Sequence, residues 1–165
     1  MSTNPYAPPK ADVDDVNVVP VVNEAPPLWN PSAAARWSLL LSPIFGATLH
    51  MKNWQALGET EKAAQSRKWV WGSVAFFVLL ITAGLFLPDS KQTDLFSRAA
   101  GLGLLIAWYS ASARGQIRFV AGRFGINYPK KGWTRPLLYA LLAFFALIAV
   151  VVVAVLAAGA AADLN

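Results

Sequence analysis

Cysteine is absent from this chain, and histidine occurs once, at His50. Without cysteine the chain has no disulfide, no thiolate metal ligand and no cysteine nucleophile. A lone histidine, with no cysteine or clustered carboxylates near it, does not build a metal site. A pairing of His50 with Ser110 or Ser112 lacks the Gly-x-Ser-x-Gly turn that exposes a serine nucleophile. We therefore predict no catalytic residue, no metal and no cofactor, and we expect that the protein is not an enzyme.

Charge is scarce, and it is missing from three long apolar runs. Charged residues make up 14% of the chain, whereas soluble domains average ~25%. Residues 69–87, 99–113 and 137–162 contain no Asp, Glu, Lys, Arg or His. A small soluble core does not absorb blocks of this length, so the sequence predicts an integral membrane protein. Transporters and pumps place ionisable groups inside their spans, which argues against proton coupling here.

The chain divides into a tail and a helical membrane domain. Residues 1–30 are rich in proline and in acidic side chains, and we predict that they form a disordered tail. Residues 31–165 are predicted to be the membrane domain, with helices at about 31–57, 60–87, 95–113 and 137–162. Asn30 is the predicted N-cap of the first helix, and Asp94 that of the third.

The first predicted helix has a shorter apolar part than the other three. Its apolar part, residues 37–49, falls below the ~20 residues that a span requires. It either spans thinly or enters the membrane and turns back, and we favour spanning. The residues predicted to kink it and to hold a hairpin with the second helix are Pro43, Gly46, Asn53, Trp54 and Gly58. The predicted fold class is an all-α membrane protein with three clear transmembrane helices plus this short, kinked helix.

Basic residues near the apolar runs predict the orientation. Lysine and arginine concentrate in residues 50–68 and 114–136, whereas the loop around residues 88–94 has few. Because cytoplasmic loops carry the excess of Lys and Arg, we predict that the two basic segments are cytoplasmic and that the C-terminus is periplasmic. Most tryptophans fall at the predicted cytoplasmic ends of the helices, where an aromatic belt is expected.

The largest charge feature is the basic loop, which we define as residues 114–136. Its basic residues are Arg114, Arg118, Arg123, Lys130, Lys131 and Arg135, and it has no acidic residue. Two interpretations remain open. The loop contacts anionic lipid headgroups or a protein partner, or it is only a topology signal. We do not expect nucleic-acid binding, because no recognised module is present.

Two short patterns resemble a known group of proteins. The leader Asn-Pro-Tyr-Ala-Pro-Pro at residues 4–9 is similar to that of small proteobacterial inner-membrane proteins. Residues 42–47 and the Asn-Trp-Gln-Ala-Leu-Gly turn at residues 53–58 resemble a segment of multi-helix bacterial membrane proteins. The resemblance implies a bacterial inner membrane and an all-helical fold. It implies no activity and no site residues.

The sequence supports two functional hypotheses. The first is a non-enzymatic inner-membrane protein of the accessory or immunity type, which acts through contacts with lipid or with a protein partner. The alternative is a small passive channel or transporter subunit, whose oligomer would align Ser73, Thr82, Ser110 and Ser112 along a lumen. Stretches with small residues spaced four apart, such as Ala99 and Gly103, allow close helix packing, either within one chain or in a homo-oligomer.

Overall fold

The structure, a computed structural model, describes residues 25–88 and 90–162, and this part of the chain is helical without a strand. The predicted all-helical fold class is confirmed. The helices are α1 (Pro31–Leu41), α2 (Pro43–Ala56), α3 (Thr60–Phe86), α4 (Lys91–Trp108), α5 (Arg114–Phe124) and α6 (Thr134–Ala162), with a π-helical turn at Tyr109–Ala113 between α4 and α5.

The first predicted helix is wrong as a single element, because the chain breaks at Ser42. Ser42 has a φ of 117°, and the α1 ladder ends there with a bond from its N–H to the Ser38 carbonyl. Pro43 then starts α2 at a first-turn position, where its missing N–H costs no helical bond. The sequence predicted a kink at Pro43, but the structure has a reversal of direction.

α1 and α2 lie antiparallel as a tight helical hairpin. Near its open end, the His50 ring lies 3.2 Å from the Pro31 carbonyl oxygen. Near its closed end, a side chain at Gly46 would collide with Ser38. A merely kinked helix would separate these pairs by many ångströms at 1.5 Å per residue. The start of α1 and the end of α2 therefore lie at the same end of the bundle.

α3 packs along α2 through a face of small side chains. Ala63, Ser66 and Ser73 on this face are buried. The turn between α2 and α3 uses Gly58, whose φ of 75° suits a residue without a Cβ. Glu59, beside the turn, pairs with Lys62 at 3.1 Å. The two helices thus form a second hairpin that follows the first one directly.

α4, the π-helical turn and α5 follow one another without a break in the helical backbone. The predicted cap of this helix is wrong. Ser90 caps it instead, its hydroxyl accepting from the Thr93 N–H at 3.1 Å, while Asp94 lies inside the first turn. The helix ends at Gly125, which has a φ of 64°. Gly122 remains helical, so the first half of the basic loop forms α5.

Residues 25–30 do not belong to a disordered tail. Leu28 is fully buried, and it forms an isolated parallel bridge with Lys130. Its N–H donates to the Pro129 carbonyl at 3.0 Å, and its carbonyl accepts from the Lys131 N–H at 2.8 Å. We call residues 25–30 the strap, because they fasten the start of α1 to the basic loop. Residues 1–24 of the predicted tail lie outside the described residues.

α6 is the most exposed helix. Within the described residues, Thr134–Leu156 is the one segment long and apolar enough to cross a membrane, with a mean hydropathy of 3.0 and none of that apolar window buried. Exposed large apolar side chains continue onto α3 and α4, for example Leu79 at 69% and Leu95 at 70%. Soluble monomers rarely expose a contiguous apolar surface of this extent.

Candidate functional site

A cluster of buried amides joins the strap, α2 and α5. The Asn53 amide brackets Trp29, with its Oδ1 accepting from the Trp29 N–H at 3.0 Å and its Nδ2 donating to the Trp29 carbonyl at 2.7 Å. The same Nδ2 lies 3.3 Å from the Gln116 Oε1. Gln116 in turn donates to the His50 carbonyl at 2.8 Å. Because Asn53 and Gln116 are fully buried, breaking one of these hydrogen bonds would leave a buried polar group without a partner.

The ring of Trp108 fills the space between the α1–α2 hairpin and α4. Trp108 is fully buried and meets the His50 ring edge-on, with centroids 5.5 Å apart. His50 Nε2 donates toward the Pro31 carbonyl, because a carbonyl oxygen only accepts. The His50 side chain is fully buried. Its surroundings are a tryptophan ring and backbone, which suits packing rather than acid–base chemistry.

The two basic segments of the sequence meet at one end of the bundle. The Lys62 ammonium lies 4.8 Å from the ring centre of Trp54 and 4.6 Å from that of Phe119. The two rings meet edge-on at 5.0 Å. α3 contributes Lys62, α2 contributes Trp54 and α5 contributes Phe119. Cation–π contacts of this kind hold the basic segments together despite their like charge.

Most cations of the basic loop point into solvent, and several lie over aromatic rings. Arg123 lies 5.7 Å from the centre of Phe119, and Lys131 lies 4.3 Å from that of Trp29. Lys131 is half-buried, and the other five, Arg114, Arg118, Arg123, Lys130 and Arg135, are exposed. The ion pairs found among residues 25–88 and 90–162 are Glu59–Lys62 and Asp94–Arg98, so none involves these six residues. This face, which we call the basic face, is an uncompensated positive surface within the described structure.

The predicted hairpin residues occupy structural positions. Pro43 and Gly46 are buried in the α1–α2 contact, and Asn53 is the centre of the amide cluster. The Trp54 carbonyl accepts from the Glu59 N–H at 2.9 Å, which closes the turn that Gly58 permits. The sequence did not single out Gln116 or Leu28. The available signals were weak: Gln116 is an uncharged amide between Arg114 and Arg118, and Leu28 is an apolar residue in a proline-rich segment.

The polar residues considered for a lumen do not share one face. Ser73 and Ser112 are buried, whereas Thr82 and Ser110 are exposed. Ser73 faces the packed interior of the bundle, so it is not available to an oligomeric pore. Among the described residues, no three His, Asp or Glu side chains come together in a way that holds a metal ion.

Loss of the amide cluster is expected to cost measurable stability. Gln116→Ala leaves the Asn53 amide and the His50 carbonyl short of partners, and we expect a loss of about 1–3 kcal/mol of unfolding free energy. The check is thermal or denaturant unfolding of the detergent-purified protein, followed by tryptophan fluorescence. Gln55→Ala is the matched control, since Gln55 is exposed on the same end of α2. Equal midpoints for the two variants would contradict the role assigned to the cluster.

Comparisons of the chain with protein-family models, with curated proteins and with solved structures found no match. The functional argument therefore depends on the geometry alone.

Proposed function

We propose that the protein is a multi-pass, non-enzymatic protein of the bacterial inner membrane that acts by presenting its basic face to lipid or to a protein partner. The observation that carries the proposal is the juxtaposition of two surfaces. An exposed apolar belt covers α3, α4 and α6, and the basic face lies at the end of α3 and α6 where each begins. This arrangement matches a helical bundle embedded in a bilayer with a cationic cytoplasmic end.

The proposed topology has α3, the α4–α5 helix and α6 crossing the membrane, and the α1–α2 hairpin entering from the cytoplasm and returning to it. α3 has 27 residues and α6 has 29, each enough to span at 1.5 Å per residue. α1 and α2, with 11 and 14 residues, are each too short to span. Non-helical backbone such as that at Ser42 is tolerated inside a membrane where protein covers it. The spanning alternative that the sequence favoured loses its support.

Anionic headgroups are the contact that the charge distribution favours. Cytoplasmic leaflets carry negative surface potential, and each Lys or Arg near the surface contributes ~1 kcal/mol. The aromatic rings under Lys62 and Lys131 are side chains of the kind that populate the headgroup level. A protein partner with an acidic surface remains the other form of the same proposal. Nothing in the arrangement of Ser73, Thr82, Ser110 and Ser112 favours the channel alternative.

The test is binding to anionic vesicles. The full chain is placed in discs of neutral phosphatidylcholine, and its binding to phosphatidylglycerol vesicles is measured at low and high salt. Replacing Arg118, Arg123, Lys130 and Lys131 by glutamine is expected to weaken binding by at least tenfold, at ~1 kcal/mol per cation before screening. Added salt should mimic the loss, because exposed charges are screened.

The control variant is Lys91→Gln with Arg98→Gln, which removes two exposed cations at the opposite end of α4. Its vesicle binding should match that of the unaltered protein. If the fourfold variant also binds as the unaltered protein does, the basic face is only a topology signal.

A further inference from the structure

A groove runs between α2 and α6, and it opens next to the basic face. Its cavity has a volume of about 460 Å³. Lys52 and Arg135 lie at the mouth, with Trp29 and Tyr139 beside them. Further along the two helices, the lining changes to Phe45, Leu49, Ala140 and Ala143.

The groove continues toward the middle of the bundle. A second cavity, of about 310 Å³, lies between α2, α3 and α6 and shares Phe45, Ala140 and Ala143 with the first. Its other walls include Phe77, Ile81 and Leu147, and it contains no charged residue. The two cavities therefore adjoin at these three shared residues. The first is cationic at its mouth, and the second is apolar.

Trp29, beside the mouth, is fixed by hydrogen bonds on both its side chain and its backbone. The Trp29 indole Nε1 donates to the Gly132 carbonyl at 3.1 Å, and the Trp29 N–H donates to the Asn53 side-chain oxygen. Pro136 is buried at the start of α6, directly after Arg135. Because α2 carries Lys52 and α6 carries Arg135, the two cations reach the mouth from opposite walls. No acidic residue lines either cavity.

We infer that this groove is a binding site for one anionic phospholipid, with its phosphate between Lys52 and Arg135 and an acyl chain along Ala140 and Ala143. Arginine and lysine recognise phosphate oxygens by charge-assisted hydrogen bonds. The small alanine side chains leave room for a chain where larger residues would close the groove. Basic pockets between membrane helices on the cytoplasmic side bind lipid headgroups in this way. The inference rests on the membrane-embedded arrangement proposed above, and it adds a defined site to a general surface attraction.

The test counts lipids that stay bound at high salt. The full chain is purified in non-ionic detergent and titrated with phosphatidylglycerol or phosphatidylcholine at about 1 M salt, where the Debye length is ~3 Å and surface attraction is suppressed. Native mass spectrometry reports lipids per chain. We expect one retained phosphatidylglycerol per chain and at least tenfold weaker retention of phosphatidylcholine.

Two variants probe the cationic mouth and the apolar part of the groove. Lys52→Gln with Arg135→Gln should weaken phosphatidylglycerol retention about thirtyfold, from two cationic contacts. Ala143→Phe fills the point where the two cavities meet and should weaken retention of both lipids. Ala140→Leu is the milder replacement if Ala143→Phe lowers the unfolding midpoint of the lipid-free protein. Arg118→Gln with Arg123→Gln is the matched control, because it removes two cations that do not line the groove.

The outcomes separate this inference from the proposed function. If the control pair weakens high-salt retention as much as the groove pair does, the site is not the groove and the inference fails, while the vesicle result for the basic face stands. If Ala143→Phe leaves lipid retention unchanged and instead alters the mass of an oligomer, a second copy of the chain occupies the groove, which also overturns the inference. If the groove pair and Ala143→Phe act as expected while the fourfold basic-face variant binds vesicles normally, the lipid site holds and the surface proposal fails.

Discussion

Replacing Gly46 by alanine is expected to destabilise the protein by about 3 kcal/mol or more, at the upper end of overpacking effects. A Cβ at this position would lie 2.8 Å from Trp108 Cζ2 and closer still to Trp108 Cη2 and Ser38 Oγ. Trp108 is fully buried and cannot retreat without leaving its contact with His50. The strain would therefore open the α1–α2 hairpin or push it off α4.

The measurement is the unfolding midpoint in detergent for a graded series, Gly46→Ala followed by Gly46→Val, with Val the more damaging. Gly103→Ala is the control, because Gly103 lies inside α4 and a Cβ there meets nothing within 4 Å. That variant is expected to be neutral or slightly stabilising, since alanine is the better helix former. A Gly46→Ala midpoint equal to that of Gly103→Ala would show that the hairpin is not packed as described.

The existence of the long helices could be predicted from the sequence, because each is marked by an uncharged apolar run. α6 follows its run closely, and α3 contains its run together with the charged segment that precedes it. Their boundaries were less predictable. α4 is capped by Ser90 rather than by Asp94, because a serine hydroxyl with an extended backbone caps as well as a carboxylate does. The two residue types are alike as sequence signals.

The reversal at Ser42 could not be read from local sequence. A Ser-Pro pair within an apolar stretch is compatible with a kinked helix and with two helices. The choice is made by packing, because Gly46 allows Ser38 and Trp108 to approach α2. Trp108 is far away in the chain, and one sequence gives no means to connect it with Gly46. The same holds for the amide cluster, where Gln116 lies 63 residues from Asn53.

The sequence of the strap contains a local pattern that indicates order, although the composition of residues 1–30 as a whole favours disorder. Proline and acidic residues are frequent among the first 30 residues, and this favoured disorder for all of them. Leu28 and Trp29 are apolar residues directly before the Asn30 cap, a place where apolar side chains often pack against the helix they precede. In this chain their partners are instead the basic loop and α2. The local pattern thus indicated order, but the partners were not predictable.

The same geometry makes a topological prediction with an all-or-none result. Because the strap and the end of α2 both lie beside the basic loop, cysteines at Pro27 and Gln55 should both be cytoplasmic. A cysteine at Gln92, at the start of α4 and the far end of α3, should be periplasmic. All three residues are exposed, and the chain has no native cysteine. In intact spheroplasts, an impermeant maleimide should label Gln92→Cys alone, and all three variants should react after lysis.

This experiment decides between the two topologies of the first segment. A hairpin that enters and returns needs Pro27→Cys and Gln55→Cys to behave alike, whereas a spanning segment needs them to behave oppositely. Labelling of Pro27→Cys but not of Gln55→Cys in intact spheroplasts would place the ends of the hairpin on opposite sides. The hydrogen bonds between Trp29 and Asn53 would then be impossible, and the lipid groove whose mouth lies beside Trp29 would lose its basis. If Gln55→Cys is labelled before lysis and Gln92→Cys is not, the orientation is inverted, and the basic face would lie in the periplasm.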